Sequence, residues 1–251
     1  MAVSALQEIF LCAKIIRIAL LDRECRAVIK HEGNGISPEV KIQEKESRRR
    51  KNMALFQAFR AVRPAPEKAA QVAALPYDVV SREEAREIGE NNPESFLHVD
   101  RAEMDLDPST DLYDPKVYQK AKENLDRFQE EGILIQDEKP NYYLYELIRK
   151  GKSQTGIVGV SSIDDYINGV IKKHELTRED KEQDRIHHVD VCDANTGPIF
   201  LACRYPSELL SLMENWKMEH APVYDFTSED EITHRVWIVD EETKIRKIRE
   251  L

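Results

Sequence analysis

The sequence is poor in glycine and in every signature that depends on it. Nine glycines and 11 prolines are spread over 251 residues, which excludes collagen-like and low-complexity chains. There is no glycine-rich phosphate loop, no GxSxG elbow and no kinase signature. Cysteine is scarce too: Cys12, Cys25, Cys192 and Cys203 form no CxxC pair. In a chain of this size they read as reduced packing thiols, which points to the cytoplasm. Long apolar runs are missing. Ala5 to Leu21 is broken by Glu8, Lys14 and Arg17 and falls short of the roughly 20 apolar residues of a membrane span. No clean small-residue cleavage site follows it, so a secretory signal is not expected.

What remains is 41% apolar and 33% charged, the composition of an ordered globular chain with a sizeable core. Lys+Arg 37 against Asp+Glu 47 gives a net charge of −10, a poor starting point for binding nucleic acid. The charge is unevenly placed. Residues 1–52 hold 11 Lys/Arg and 7 Asp/Glu, net +4; the rest hold 26 and 40, net −14. The stretch KIQEKESRRRKN runs directly into Met53. AGG-AGG codes for Arg-Arg and is also a ribosome-binding sequence. Translation is therefore expected to start at Met53, leaving residues 1–52 as a spurious or disordered extension. CGN codons at Arg48 to Arg50 would sink that expectation. A basic arm for nucleic acid or membrane is the rival.

From Met53 onward the pattern alternates between strands and helices. Leu55 to Val62 reads as a strand, and Pro76 forces an extended entry within Val72 to Val80. Ser81 to Glu84 is a capping box that opens a short helix ended by Asn91-Asn92-Pro93. Ser95 to Val99 reads as a second strand. Asp114-Pro115 opens the clearest helix, with Val117, Ala121, Leu125 and Phe128 on one face and Gly132 at its close. Asn141 to Ile148 and Thr155 to Ser161 form an antiparallel pair around Lys150-Gly151-Lys152. Ser207 caps a helix, and two strands follow at His220 to Phe226 and Ile232 to Val239. The fold class is α+β, with mixed or antiparallel sheets and flanking helices.

Chemistry concentrates in Ile171 to Phe200. Lys172, Lys173, Lys181 and Arg185 are cations; Glu175, Asp184 and Asp190 are carboxylates; Thr177 and Asn195 are neutral hydrogen-bonding groups. Phosphoryl transfer needs this mixture, because cations neutralise phosphoryl oxygens while a carboxylate takes a hydroxyl proton or holds Mg²⁺. The commoner role of a charge-rich helix such as Thr177 to Arg185 is a solvated face. Metal readings are weaker. His174-Glu175 is no zincin motif, since position 178 is Arg; His188 and Cys192 share a helical face, but two ligands do not make a zinc site. In the other dense motifs, Asp78 and His98 are candidate acid or base groups at strand ends. Tyr77 and Phe96 are expected in the core.

Four stretches in order, ALPYDVVSREEARE, NPESFLHVDRAEMDLDP, SSIDDYINGVIKKHELTREDKEQDR and ANTGPIF, resemble the bacterial family called domain of unknown function 1015. The resemblance runs from about Met53 to Leu251. It implies an incomplete ParB/sulfiredoxin-like domain, because family members are usually longer and carry an Asp-Gly-His-His-Arg motif that this chain does not reach. It also implies a phosphotransferase acting on serine or phosphoserine, with ATP or pyrophosphate as phosphate partner and Mg²⁺ as cofactor. On that reading Glu175 is the catalytic carboxylate and Asp78 the second candidate. Lys173, His174, Lys181 and Arg185 bind phosphate, and Thr177 and Asn195 position groups. Two other functions stand beside it: a nucleotide- or DNA-binding ParB-like regulator, and a non-functional fragment.

Overall fold

The computed structural model describes residues 54–172, 178–204 and 206–251, together with the backbone of a two-residue strand, β1 (Ala19–Leu20). In chain order there follow β2 (Phe56–Gln57), β3 (Ala61–Pro64), α1 (Ala69–Val72), α2 (Arg82–Asn91), α3 (Leu97–Asp100), α4 (Pro115–Glu130) and β4 (Leu134–Gln136). Next come β5 (Tyr142–Arg149), β6 (Lys152–Val158), β7 (Val160–Ser161), α5 (Ile163–Ile167) and α6 (Glu179–Cys192). The chain closes with α7 (Ser207–Glu219), β8 (Tyr224–Thr227), β9 (Thr233–Val239) and α8 (Glu242–Glu250). The class is α+β.

The largest sheet is antiparallel, in the order β6-β5-β9-β8. Its β5–β6 hairpin turns through Lys150 and Gly151, both with positive φ (49° and 74°), as a type I′ turn requires. Both faces of this sheet are covered, which is why the apolar residues of β5 run consecutively instead of alternating. Tyr142, Leu144, Trp237 and Val239 pack on Leu212, Met213 and Trp216 of α7 and Ile248 of α8. Tyr143, Tyr224 and Val236, on the opposite face, meet Phe59, Ala61 and Ala69. The register Tyr142↔Val239 and Ile148↔Thr233 keeps these two sets apart.

A second core lies against β3 and β4. The helix α4 begins as the sequence requires: Asp114 accepts from the Lys116 N–H, and Pro115 occupies the first turn. Its inward face, Val117, Ala121, Leu125 and Phe128, packs with Val62, Leu97, Val99 and Leu134. The helix α2 carries both hydrogen bonds of the Ser81–Glu84 capping box. Between the two cores Arg63 crosses from β3. It pairs with Asp137 at 2.8 Å and donates to the Tyr224 hydroxyl at 3.0 Å.

Several local expectations are corrected. Leu55 to Val62 is not one strand: β2 pairs with β7, β3 pairs with β4, and Phe59 bridges to Asn141 between them. Ser95 to Val99 is not a strand either. Residues 97–100 form the short helix α3, and Ser95 Oγ accepts from the Leu97 N–H just ahead of it. Every residue from Ser95 to Asp100 is buried, so the apolar run carried no strand alternation to read. Pro206, not Ser207, occupies the N-cap of α7. Glu242–Glu250 add a helix, α8, that follows directly on β9. Cys192 is a buried free thiol as expected of packing cysteine, but Cys203 is exposed.

Candidate functional site

The motif-bearing stretches, far apart in the chain, meet where α6 lies on α4. The helix α6 turns Lys181, Asp184, Arg185, His188 and Cys192 toward the protein, at the spacing i, i+3, i+4, i+7, i+11 of one helical face. Asp184, His188 and Cys192 are buried. Ile186 and Val189, on the opposite side, are exposed. Burial lifts the Cys192 thiol to about 11, so it stays protonated and inert.

Each neighbouring stretch touches this face through a named bond. His188 Nε2 lies 3.0 Å from the Val99 carbonyl oxygen at the end of α3. A carbonyl only accepts, so Nε2 carries the proton. His188 Nδ1 lies 3.5 Å from Thr196 Oγ1, and Thr196 Oγ1 donates to Asp100 Oδ1 at 3.3 Å. Asn195 Oδ1 accepts from the Gly197 N–H, which sets the Asn-Thr-Gly turn. Arg185 lies over the Tyr77 ring, 4.4 Å from its centroid. Its Nε and Nη2 both donate to Asp184 Oδ2. Tyr118 of α4 donates to Asp184 Oδ1 at 3.1 Å. Burial first, and then the Asp184 charge, push the Tyr118 hydroxyl up to about 12. Lys181 sits beside Tyr113, 3.5 Å from its hydroxyl and 5.9 Å from its ring centroid.

Two cations one turn apart are thus held by aromatic rings. Arg185 shares Asp184 along one edge of its guanidinium. Lys181 meets a tyrosine hydroxyl and, among the described residues, pairs with no carboxylate. In a stretch of chain with net charge −14, two cations one turn apart, one of them paired with Asp184 along a single edge only, form an arrangement able to receive a small anion.

The structure brings Lys181, Arg185 and Asn195 to this region. Asp78 is exposed in the turn at residues 77–80, next to Tyr77. Lys173, His174, Glu175 and Thr177 lie outside the described residues. His98 is not at a strand end. It sits on α3, with Nδ1 2.9 Å from Asp105 and Nε2 3.2 Å from the Asn92 carbonyl oxygen. Burial opposes ionisation of Asp105, but the His98 and Asn124 hydrogen bonds and nearby positive charge outweigh it and hold its pKa low. Gly89 lets this group approach α2, since a Cβ there would lie 3.2 Å from His98 Cε1. Tyr77, expected in the core, instead supplies the face beneath Arg185. Thr196 and Asp100 escaped the sequence reading because Ala-Asn-Thr-Gly-Pro looks like a turn and nothing more.

Among the described residues, no group of three or more His, Cys, Asp or Glu side chains is arranged to hold a metal ion. No helix among them is long and apolar enough to cross a membrane. A shallow cleft of about 160 Å³ borders the 77–80 turn, lined by Leu75, Val79, Val80, Glu84, Glu87 and Ile88. A larger depression of about 250 Å³ lies between α7 and α8; Lys244 and Lys247 line it, but none of the motif residues does.

Fold and site together define an α+β protein whose dispersed motifs converge on a pair of aromatic-held cations. The chain belongs to a family described as a protein of unknown function, domain of unknown function 1015, whose pattern it matches over residues 56–251. No curated protein and no solved structure matches it.

Proposed function

We propose that this chain carries the phosphate-handling part of a phosphotransferase acting on a small hydroxy amino acid, serine or phosphoserine. ATP or pyrophosphate is the phosphate partner. The observation that supports this is the Lys181–Arg185 pair. The two cations are one helical turn apart and lie on tyrosine faces, and the next residues upstream of α6 are the Lys173-His174-Glu175-Leu176-Thr177 stretch. Two fixed cations suit the clustered charge of one phosphate chain.

In this scheme Lys181 and Arg185 hold the phosphoryl oxygens, with Lys173 and His174 completing the cradle. Glu175 accepts the serine hydroxyl proton as the oxygen attacks the terminal phosphorus and the bridging P–O bond breaks, releasing ADP from ATP or phosphate from pyrophosphate, with Asp78 as the alternative base. Thr177 and Asn195 orient the ligand through neutral hydrogen bonds. Mg²⁺ is suited to binding by one or two carboxylates plus substrate phosphates. Brought in by the phosphate partner, it would neutralise charge on the phosphate chain.

The test is phosphoryl transfer from labelled ATP or pyrophosphate to serine, with the reverse reaction on phosphoserine. Glu175→Ala should abolish most turnover, and near-normal turnover would remove it from the role. Lys181→Ala and Arg185→Ala should each raise KM for the phosphate partner by about tenfold or more, the worth of one charge-assisted hydrogen bond. The reading fails if neither donor binds and neither reaction proceeds.

A further inference from the structure

The 77–80 turn has no regular structure of its own, yet it carries the ring on which Arg185 lies. Arg101, just past the end of α3, holds this turn. Its Nη1 donates to the Tyr77 carbonyl at 2.8 Å and to the Val80 carbonyl at 2.5 Å, bracketing the turn from both ends. Its Nε donates to Glu103 Oε1 at 2.6 Å. The Arg101 and Glu103 side chains are only 15% and 5% exposed, so solvent competes little with these bonds.

Neither Arg101 nor Glu103 reaches out toward an anion at the α6 face, since both are committed to each other and to the turn. Their effect passes through Tyr77. A backbone carbonyl held at residue 77 fixes where that residue's ring points, and the ring fixes one face of the Arg185 guanidinium. Asp184 fixes one edge through Nε and Nη2. A guanidinium held on a face and on one edge presents Nη1 in a single direction, and a donor pre-aimed in this way loses little entropy on binding. Left on an unheld turn, Tyr77 would give Arg185 a moving support.

We infer that Arg101 and Glu103 are positioning residues: they lock the 77–80 turn so that Tyr77 forms the platform aiming Arg185 at a phosphate group. This rests on the reading of Arg185 as a phosphate-binding residue, and the experiment separates the two.

The probe is inorganic pyrophosphate in Mg²⁺ buffer, titrated calorimetrically into the full chain. The variants are Arg185→Ala, Arg101→Gln, Glu103→Gln, Tyr77→Ala and the double variant Arg101→Gln/Arg185→Ala, each checked for a cooperative melt. Arg185→Ala should weaken binding about tenfold. Arg101→Gln should weaken it about three- to tenfold, and Glu103→Gln in the same direction by less. Glu103→Gln also serves if Arg101→Gln fails to fold. Tyr77→Ala removes the ring face and should weaken binding at least as much as Arg101→Gln; normal binding by it would overturn the inference. In the Arg185→Ala background Arg101→Gln should have no further effect, because a residue that acts through Arg185 cannot act without it. Equal losses in both backgrounds would mean that Arg101 is merely structural, and no loss in either Arg101→Gln or Glu103→Gln would mean that the turn needs no clamp; each result overturns the inference. If Arg185→Ala binds normally, the phosphate reading of Arg185 fails, and the positioning role falls with it.

Discussion

Replacing Lys217 by Met should destabilise the protein through a carboxylate that it leaves behind. Glu146 stands in the middle of β5 and is 8% exposed. Lys217 comes from α7 and reaches Glu146 Oε1 at 3.1 Å and Thr155 Oγ1 at 2.9 Å. Ser153 also donates to Oε1, at 2.7 Å, and Arg235 Nη1 lies 3.8 Å from Oε2. Breaking a buried pair by removing one partner costs about 3–5 kcal/mol. Ser153 and the half-exposed Arg235 remain, so the loss here should fall at the low end, about 2–3 kcal/mol. Lys217→Met paired with Glu146→Gln should recover at least 1 kcal/mol of that loss, because no buried charge is then stranded. The pH dependence has a fixed sign. Burial opposes the ionised form of Glu146, but the bonds from Ser153 and Lys217 and the positive charges of Lys217 and Arg235 outweigh it, so its pKa is lowered on folding. The stabilisation is therefore complete above the unfolded value, near 4.3, and is lost as pH falls through the folded one. Lys217 shifts the opposite way: burial opposes its charge, but Glu214 and Glu146 raise its pKa. Its share is complete below the unfolded value, near 10.4, and disappears as pH rises through the folded one. Urea unfolding from pH 3 to 8 measures the Glu146 share, and a series from pH 8 to 11 the Lys217 share. The reasoning is refuted if Lys217→Met costs under about 0.5 kcal/mol, or if Glu146→Gln loses stability below pH 5 as steeply as the parent chain.

Gly159→Ala should cost about 1–3 kcal/mol, because the added Cβ would lie 2.8 Å from the Gln57 carbonyl oxygen and 2.6 Å from Phe56 Cζ, forcing β2 away from β7. Gly156→Ala, with nothing within 4 Å of its added Cβ, is the control and should leave the melting temperature nearly unchanged. Equal effects of the two in thermal melts would count against the β2–β7 contact. His188→Ala removes a 2% exposed ring and leaves the Val99 carbonyl without its donor. A loss of about 2–3 kcal/mol is expected, and hydrogen exchange should rise at α3 and at the 194–197 turn before it rises in the sheet.

Legibility in the sequence followed periodicity and turn chemistry. The helix α4 could be read end to end, because Asp114-Pro115, the Val117–Phe128 stripe and Gly132 all agree. The β5–β6 hairpin and the Ser81–Glu84 box were equally plain. Failures came where tertiary burial overrode the local signal. Phe96, Leu97 and Val99 are all buried, so SFLHV offered no period of two or of 3.6 residues. The break between β2 and β3 depends on which distant strand each pairs with, and no local pattern records that. At the candidate site the residue types of α6 were readable, but their supports were not. Tyr77, Tyr113 and Tyr118 matter through contacts with residues 66 to 108 positions away, and each looks like ordinary core or surface when read locally.

The mismatch between overall charge and local site bears on the kind of ligand. A nucleic-acid surface draws its affinity from many phosphate contacts spread over several helical turns of duplex. The face of α6 offers Lys181 and Arg185 within one helical turn, flanked by Glu182 and Asp184. Around them the chain beyond residue 52 is strongly acidic, and this repels a long polyanion while leaving a short one able to reach two adjacent cations. A compact phosphate group matches this layout in size and in number of charges. A pyrophosphate titration repeated at rising salt reads the number directly. Lys181 and Arg185 with Lys173 and His174 should give a shallow dependence, whereas a steep one would require basic residues beyond these and would return the nucleic-acid reading to consideration.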